Sequence, residues 1–364
     1  MPPYDVSRSD RPYHANVRQP TLQDVADNAS VHRATASRAL NPATRHLVNA
    51  ETAERVEQAA RSLGYRPNPI ARSLKTSRSA SVGLIIPDLT NPLFPPIARG
   101  VEDVLGAIGY NAWLVNTDND PEREAAAVES MRSRSVEGFV FATARLDHPL
   151  LEGLAAEGVP MVLVNRRVAK ADIPSVTSDD ATGVALAVRH LVELGHRKIA
   201  HLAGPQDLST GRGRLRAFRD AMEDHGLPDD PDRLVICRSW TEVAGAEALT
   251  SLLTAGVDFT AVLAGNDLLA LGCYDALADH GLTCPRDVSV VGFNDMPFMD
   301  KLSPPLTSVR IPHYELGAEA ARLLLTDLQE PGRHSRSVLL PLTLVVRQST
   351  APPGAGTLRA SRSA

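Results

Sequence analysis

The chain has 364 residues, more than one compact core of ordinary size, so two or three cores with a small appendage are expected. Its 43% hydrophobic content is broken everywhere by charges, and no apolar run approaches the roughly 20 residues that span a bilayer. The net charge of −5 is unevenly spread: residues 1–80 hold 12 Lys and Arg against 7 Asp and Glu, about +5, which leaves about −10 for the remainder and confines any nucleic-acid-facing charge to the N-terminal part.

The opening segment, MPPYDVSRSDRPYHANVRQP, has no apolar stretch of the secretory kind, so the cytoplasm is the expected compartment and a membrane is not an expected partner. Cys237, Cys273 and Cys284 are odd in number and in no CxxC spacing, which argues against a disulfide framework and a zinc site; no metal or cofactor is expected.

Residues 1–19 lack periodicity and are expected to form a disordered arm, whose Arg8, Arg11 and Arg18 are available to phosphates. A three-helix unit follows over 20–66. Thr21 is a good N-cap, and Leu22, Val25, Ala26 and Ala29 fall on one apolar helical face. After a turn at Ser30 and Val31, a second short helix points Val31, Ala36, Ala39 and Leu40 inward and Arg33, Ala34, Ser37 and Arg38 outward. Two such helices make the helix-turn-helix geometry that lays its second helix in a major groove. A third helix, capped by Asn49, buries Val56, Ala59, Ala60 and Leu63 and stops at Gly64. Over 67–80, PNPIARSLKTSRSA allows only one or two helical turns, either a plain linker or a hinge helix that forms when docked.

From Ser81 onward β-rich runs alternate with amphipathic stretches: VGLII, NAWLV, GFVFA and VPMVLVN, then, after a bridge at Pro174–Asp179, KIAHLAG, LVICRS, TAVLAG and VSVVGF. This rhythm predicts an α/β core of two parallel sheets covered by helices, with a ligand in the cleft at the carboxyl ends of the strands. The tail, 350–364, reads as disordered and carries no leucine heptad.

From about Pro20 to Ser349 the chain resembles the lactose repressor and galactose repressor family of bacterial regulators. The likeness rests on TLQDVADNASVHRATASRALN, RVEQAARSLGYRPNPIARSLKTSRSASVGLIIPDLTNPLF, HLVELGHRKIAHLAGP, AGNDLLALG, DVSVVGFND and PPLTSVR, six strings in the family's order. It implies a helix-turn-helix reader, a hinge helix and a two-lobed core like a periplasmic binding protein over 81–349. By the same analogy one lobe covers about 81–177 plus 308–328 and the other about 178–307 plus 329–349. It further implies a homodimer on a near-palindromic double-stranded DNA operator, a repressor governed by a small carbohydrate effector between the lobes, and no enzyme.

Residue by residue, the resemblance gives Arg33, Ala34 and Arg38 to base contacts, and an Arg at the groove end of a helix suits guanine O6 and N7. Thr21, Thr35, Ser37 and Asn49 are phosphate contacts or caps. Ala71, Leu74 and Lys75 match the residues that enter the minor groove, with Leu74 as an apolar wedge between base steps. The effector set comprises Asn91 and Phe94, then Asn165 and Arg166, then Arg214 following the GPQDLST loop. Trp240 is placed to stack on a sugar face, and Asn266, Asp267, Asn294 and Asp295 close the far side.

Three departures stand out. His32 occupies a cap position where Ser or Thr is usual, and either touches a phosphate or caps poorly. Asn165 and Asn294 replace common aspartates, which leaves the cleft poorer in carboxylates and friendlier to a phosphorylated or acidic effector. An enzyme on the same lobes is the main competing reading, but GxSxG, HExxH, P-loop and complete GxGxxG motifs are missing, the nearest being GRGRLR. A transport binding protein would need an export signal and no basic reader. Activation in place of repression, and a nucleoside or purine effector, remain open at the level of sequence.

Overall fold

A computed structural model describes residues 20–41, 44–66, 79–330 and 337–354. The chain divides into two units, Met1–Ser79 and Ala80–Ala364. The arm over 1–19, the hinge over 67–78 and the last ten residues lie outside the described residues, and with them those expectations.

The N-terminal unit consists of α1 (Leu22–Asn28), α2 (Arg33–Ala39) and α3 (Ala50–Leu63). Thr21 starts α1 through a capping box: its Oγ1 accepts the Asp24 N–H at 3.3 Å, while the Asp24 carboxylate accepts the Thr21 N–H at 2.7 Å. Ser30 takes the turn at φ 52°, a region L-residues rarely visit. His32 then caps α2, its Nδ1 accepting the Ala34 N–H at 3.2 Å, so the unusual residue does the work of the usual hydroxyl. Asn49 Oδ1 accepts the Thr52 N–H at 2.7 Å to open α3, and Gly64, in the left-handed region at φ 65°, closes it. The core is mainly alanine: Val25, Ala26, Ala36, Ala39, Ala53 and Val56 are buried, and such small side chains let the three helices approach closely.

The larger unit begins β1 (Ser81–Ile86), α4 (Phe94–Gly106), β2 (Asn111–Asn116), α5 (Pro121–Ser133), β3 (Gly138–Phe141), α6 (Pro149–Ala156), β4 (Met161–Val164) and β5 (Ser175–Ser178). It continues α7 (Asp180–Glu193), β6 (Ile199–Ala203), α8 (Ser209–Asp224), β7 (Leu234–Ile236), α9 (Glu242–Thr254), β8 (Ala261–Ala264), α10 (Asp267–Asp279), β9 (Ser289–Asn294) and β10 (Thr307–Arg310). It ends α11 (His313–Gln329), β11 (Ser337–Leu340) and β12 (Thr343–Val345).

Two six-stranded sheets result, ordered β11-β5-β4-β3-β1-β2 and β12-β10-β9-β8-β6-β7. Every pairing is parallel except β10 with β12. Helices cover both faces, so β1, β3, β4, β8 and β9 are buried along their whole length, the reason they read as continuous apolar runs. In each sheet the order reverses beside the first strand, at β1/β3 and β6/β8, and such reversals open a crevice at the carboxyl ends.

The expected lobe boundaries need correction. The bridge at Pro174–Asp179 contains β5, which extends the first sheet. Residues 308–310, expected in the first lobe, lie in β10 of the second sheet, whereas 337–340, expected in the second, form β11 of the first. Between them α11 packs on α4 so closely that a Cβ on Gly317 would lie 1.9 Å from the Ile97 carbonyl oxygen. The tail also keeps its order beyond 350: the Ala351 carbonyl accepts bonds from His196 Nε2 at 2.9 Å and Ser289 Oγ at 3.1 Å.

Candidate functional site

Two sites emerge, one in each unit. In the smaller, α2 turns its alanines inward, which leaves Arg33, Ala34 and Arg38 exposed on one face, with Thr35 and Ser37 half-buried at its margin. Neither Arg33 nor Arg38 forms an ion pair among the described residues, so both guanidinium groups face outward with their donors available. Of the remaining expected residues, Thr21 and Asn49 spend their side chains on helix caps. Ala71, Leu74 and Lys75 lie outside the described residues.

In the larger unit the strand ends of both sheets converge on a cavity of two adjoining chambers, with Asn91, Arg166 and Trp240 in the walls of both. From β1 comes Asn91, whose Oδ1 accepts the Leu93 N–H at 3.0 Å and so shapes the turn into α4, where Phe94 forms part of the outer wall. From β4 come Asn165 and Arg166. Asn165 is held at φ 67°, and strain of this kind concentrates at functional positions. Its buried Oδ1 and the buried Nε of Arg166 have no hydrogen-bond partner.

From the second sheet, Trp240 stands beyond β7 over Gly204, where a Cβ would come within 2.0 Å of the indole. Asn266 caps α10, accepting the Leu269 N–H at 2.8 Å, and also faces the inner chamber. Asn294 ends β9 at φ 118° and accepts a bond from Arg214 Nη1 at 3.4 Å. Arg214 does not follow the loop directly: α8 begins at Ser209, and Arg214 reaches the cavity from inside it. The same helix absorbs GRGRLR, which is therefore no phosphate loop. Arg214 donates to the Gly265 carbonyl at 2.7 Å, pairs with Asp180 at 3.3 Å and lies 3.8 Å above the Phe293 ring centroid. These fixed partners aim it into the inner chamber.

Two expected residues do not line the cavity. Asp267 is fully buried behind the amide of Asn266, its Oδ2 accepting the Met296 N–H at 2.7 Å and its Oδ1 the Ser308 hydroxyl at 2.5 Å. Burial pushes this carboxyl up to about 7, against those two hydrogen bonds, which favour the charged form. Asp295 is likewise turned away, clamped by Arg310 and Arg347 at 2.7 Å each. Both are fastenings of the second sheet.

Other wall residues escaped the sequence reading: Leu93 and Thr210 inside, Asp207 outside, and above all Arg145 and Arg238. Arg145 follows β3 and Arg238 follows β7, so the rule of carboxyl strand ends was the available signal. The Arg145 loop is anchored from below: His148 Nδ1 accepts the Arg145 N–H at 3.2 Å, and its Nε2 lies 3.3 Å from the buried carboxylate of Glu124.

Comparison with known proteins finds a family match in each unit. Residues 21–68 match the model of the bacterial regulatory proteins of the lacI family, and residues 188–350 match a periplasmic binding protein-like domain. The ribose operon repressor of Halalkalibacterium halodurans is 34% identical over 330 residues, covering 91% of this chain and 97% of that one. The chain belongs to the lacI family. It is thus a DNA-binding regulatory protein with an N-terminal helix-turn-helix and a periplasmic binding protein-like core. Among solved lacI-family structures, the lac repressor dimer bound to operator and the anti-inducer ONPF aligns with a TM-score of 0.82 at 29% identity, over 92% of this chain and all of that one. The complex of the transcriptional regulator CelR with cellobiose aligns at 0.69 and 32%, over 91% and 99%. No helix among the described residues is long and apolar enough to cross a membrane.

Proposed function

We propose that this lacI-family protein is a repressor that binds a near-palindromic operator as a homodimer and whose grip on DNA is set by a carbohydrate effector held in the core cavity. The observation that carries the reading is convergence: strand ends of both sheets supply one cavity with an indole face, carboxamides and an immobilised guanidinium group. A ring face stacks on an indole, and amides and guanidinium groups bond hydroxyls, so this wall suits a sugar. Its polar lining binds and orients, as a sensor requires. The ribose operon repressor and the cellobiose-bound regulator support the effector class, and the operator-bound dimer supports the mode of DNA binding.

In this reading Arg33, Ala34 and Arg38 meet base edges, with Thr35 and Ser37 near phosphates. Ala71, Leu74 and Lys75 act in the minor groove, Leu74 as the wedge. Dimer formation is supported by β2, an edge strand that leaves Trp113 40% and Leu114 41% exposed, since a partner relieves an apolar edge. Genomic binding-site mapping followed by gel shift on the recovered site, with and without ribose and cellobiose, tests the whole. A paired half-site and a sugar-dependent shift in affinity are expected. Binding without sequence preference would overturn the reader assignment, and indifference to all sugars would overturn the sensor.

A further inference from the structure

The cavity wall is unusually cationic for a site that meets only hydroxyls. Four arginines line its two chambers: Arg214 within, Arg166 shared by both, and Arg145 and Arg238 without. Arg214 is accounted for by Asp180. The other three form no ion pair among the described residues. Arg145 spends one Nη on the Asn119 carbonyl at 2.8 Å. Arg166 is 5% exposed, its buried Nε has no acceptor, and burial pulls its pKa down to about 10, which still leaves it charged at neutral pH. The largest opposing influence is the charge of Asp207, while Arg145 and Arg214 push the same way as burial.

A buried guanidinium nitrogen without an acceptor is costly, and such a cost persists where a ligand removes it. The two carboxylates in the outer wall do not remove it. Asp88 Oδ1 is taken by the Thr90 N–H at 2.8 Å and the Thr90 hydroxyl at 2.6 Å, and Asp207 stands exposed at the mouth. Elsewhere in this core, buried charge is closed by partners, as at Asp295 between Arg310 and Arg347. The outer chamber, about 730 Å³ counting the part open to solvent, has room for a group beyond a sugar ring on Trp240.

We propose that the effector is an anionic carbohydrate, a sugar phosphate or sugar acid, whose charged group sits in the outer chamber between Arg145, Arg166 and Arg238 while its ring occupies the Trp240 side. The inference rests on the reading of the cavity as the effector site. Guanidinium groups recognise phosphoryl and carboxylate oxygens by paired N–H donors, and three around one chamber favour an oxyanion over a hydroxyl.

Trp113 and Trp240 are the only tryptophans, so Trp113→Phe leaves fluorescence from the cavity alone. In that background the full chain is titrated with ribose, ribose 5-phosphate, gluconate and inorganic phosphate. At least one of the two anionic sugars is expected to bind at least tenfold more tightly than ribose, with inorganic phosphate competing and added salt weakening the anion only. Arg238→Gln, at an exposed position that leaves folding intact, is expected to lower the anion's affinity about tenfold or more and to leave ribose unchanged. Arg166→Gln, in the wall of both chambers, is expected to lower the anion's affinity more strongly still. If ribose binds as well as both anions, or Arg238→Gln lowers both alike, the anionic class is overturned and the sensor cavity stands. If no probe changes Trp240 fluorescence or competes, both are overturned.

Discussion

Single residues decide what each site can read. Arg38, exposed on α2 with its donors free, is expected to recognise one base pair per half-site. Arg38→Ala should cost about 1–3 kcal/mol on the cognate site and relax preference at that position. Selection of binding sites from random DNA checks this, and a uniform loss across sequences would make Arg38 a phosphate contact. Asp267 and two histidines give the core a pH dependence of opposing signs. Burial lowers His201 and His313 to about 4 each, so the unfolded chain takes up their protons first and stability falls as pH drops from about 6.5 to 4. Asp267, raised to about 7, works the other way: its burial costs stability that accumulates as pH climbs from about 4 to 7 and is relieved on acidification. Asp267→Asn is therefore expected to steepen the acid loss by about 1.4 kcal/mol per unit of pKa shift removed. Urea unfolding at pH 7, 5.5 and 4.5 measures it, and parallel profiles for variant and wild type would refute the role.

At the scale of elements, the helices and strands were legible because their burial imposes periodicity: one stripe of alanines on α2, unbroken apolar runs on β1 and β9. The direction of a side chain at a strand end was not. Asn266 and Asp267 adjoin in sequence, yet the first faces the cavity and the second the sheet, because consecutive residues entering a helix diverge by about 100°. Asn294 and Asp295 part at the end of β9, where successive side chains of a strand point to opposite faces. Arg145 and Arg238 carry no motif and became visible only when their loops met across the crevice. The loop after β6 holds the indole of Trp240 through the bare backbone of Gly204. Gly204→Ala is expected to push the indole out of the wall and weaken effector binding tenfold or more while leaving operator binding without effector intact; calorimetry and gel shift on one preparation separate the two. Loss of both activities would mean that the loop supports the fold and not the ring.

At the scale of the molecule, the division at Ser79 and Ala80 separates reading from sensing. A chain beginning at Ala80 is expected to keep effector binding with an unchanged dissociation constant and to lose specific DNA binding. Calorimetry on that fragment tests it, and loss of effector binding would show the smaller unit to be part of the sensor. The sheet crossovers were the least legible feature, because β11 is only four residues long and pairs with β5, about 160 residues earlier in the chain. That pairing also bears on synthesis. A chain emerging from the ribosome can assemble β1 to β5 early, but the edge of β5 and the groove along α4 stay uncovered until α11 and β11 have followed β6 to β10 out of the tunnel. At about 5–20 residues per second, that interval lasts roughly ten to thirty seconds, during which the first lobe presents an open strand edge of the kind that pairs with other chains.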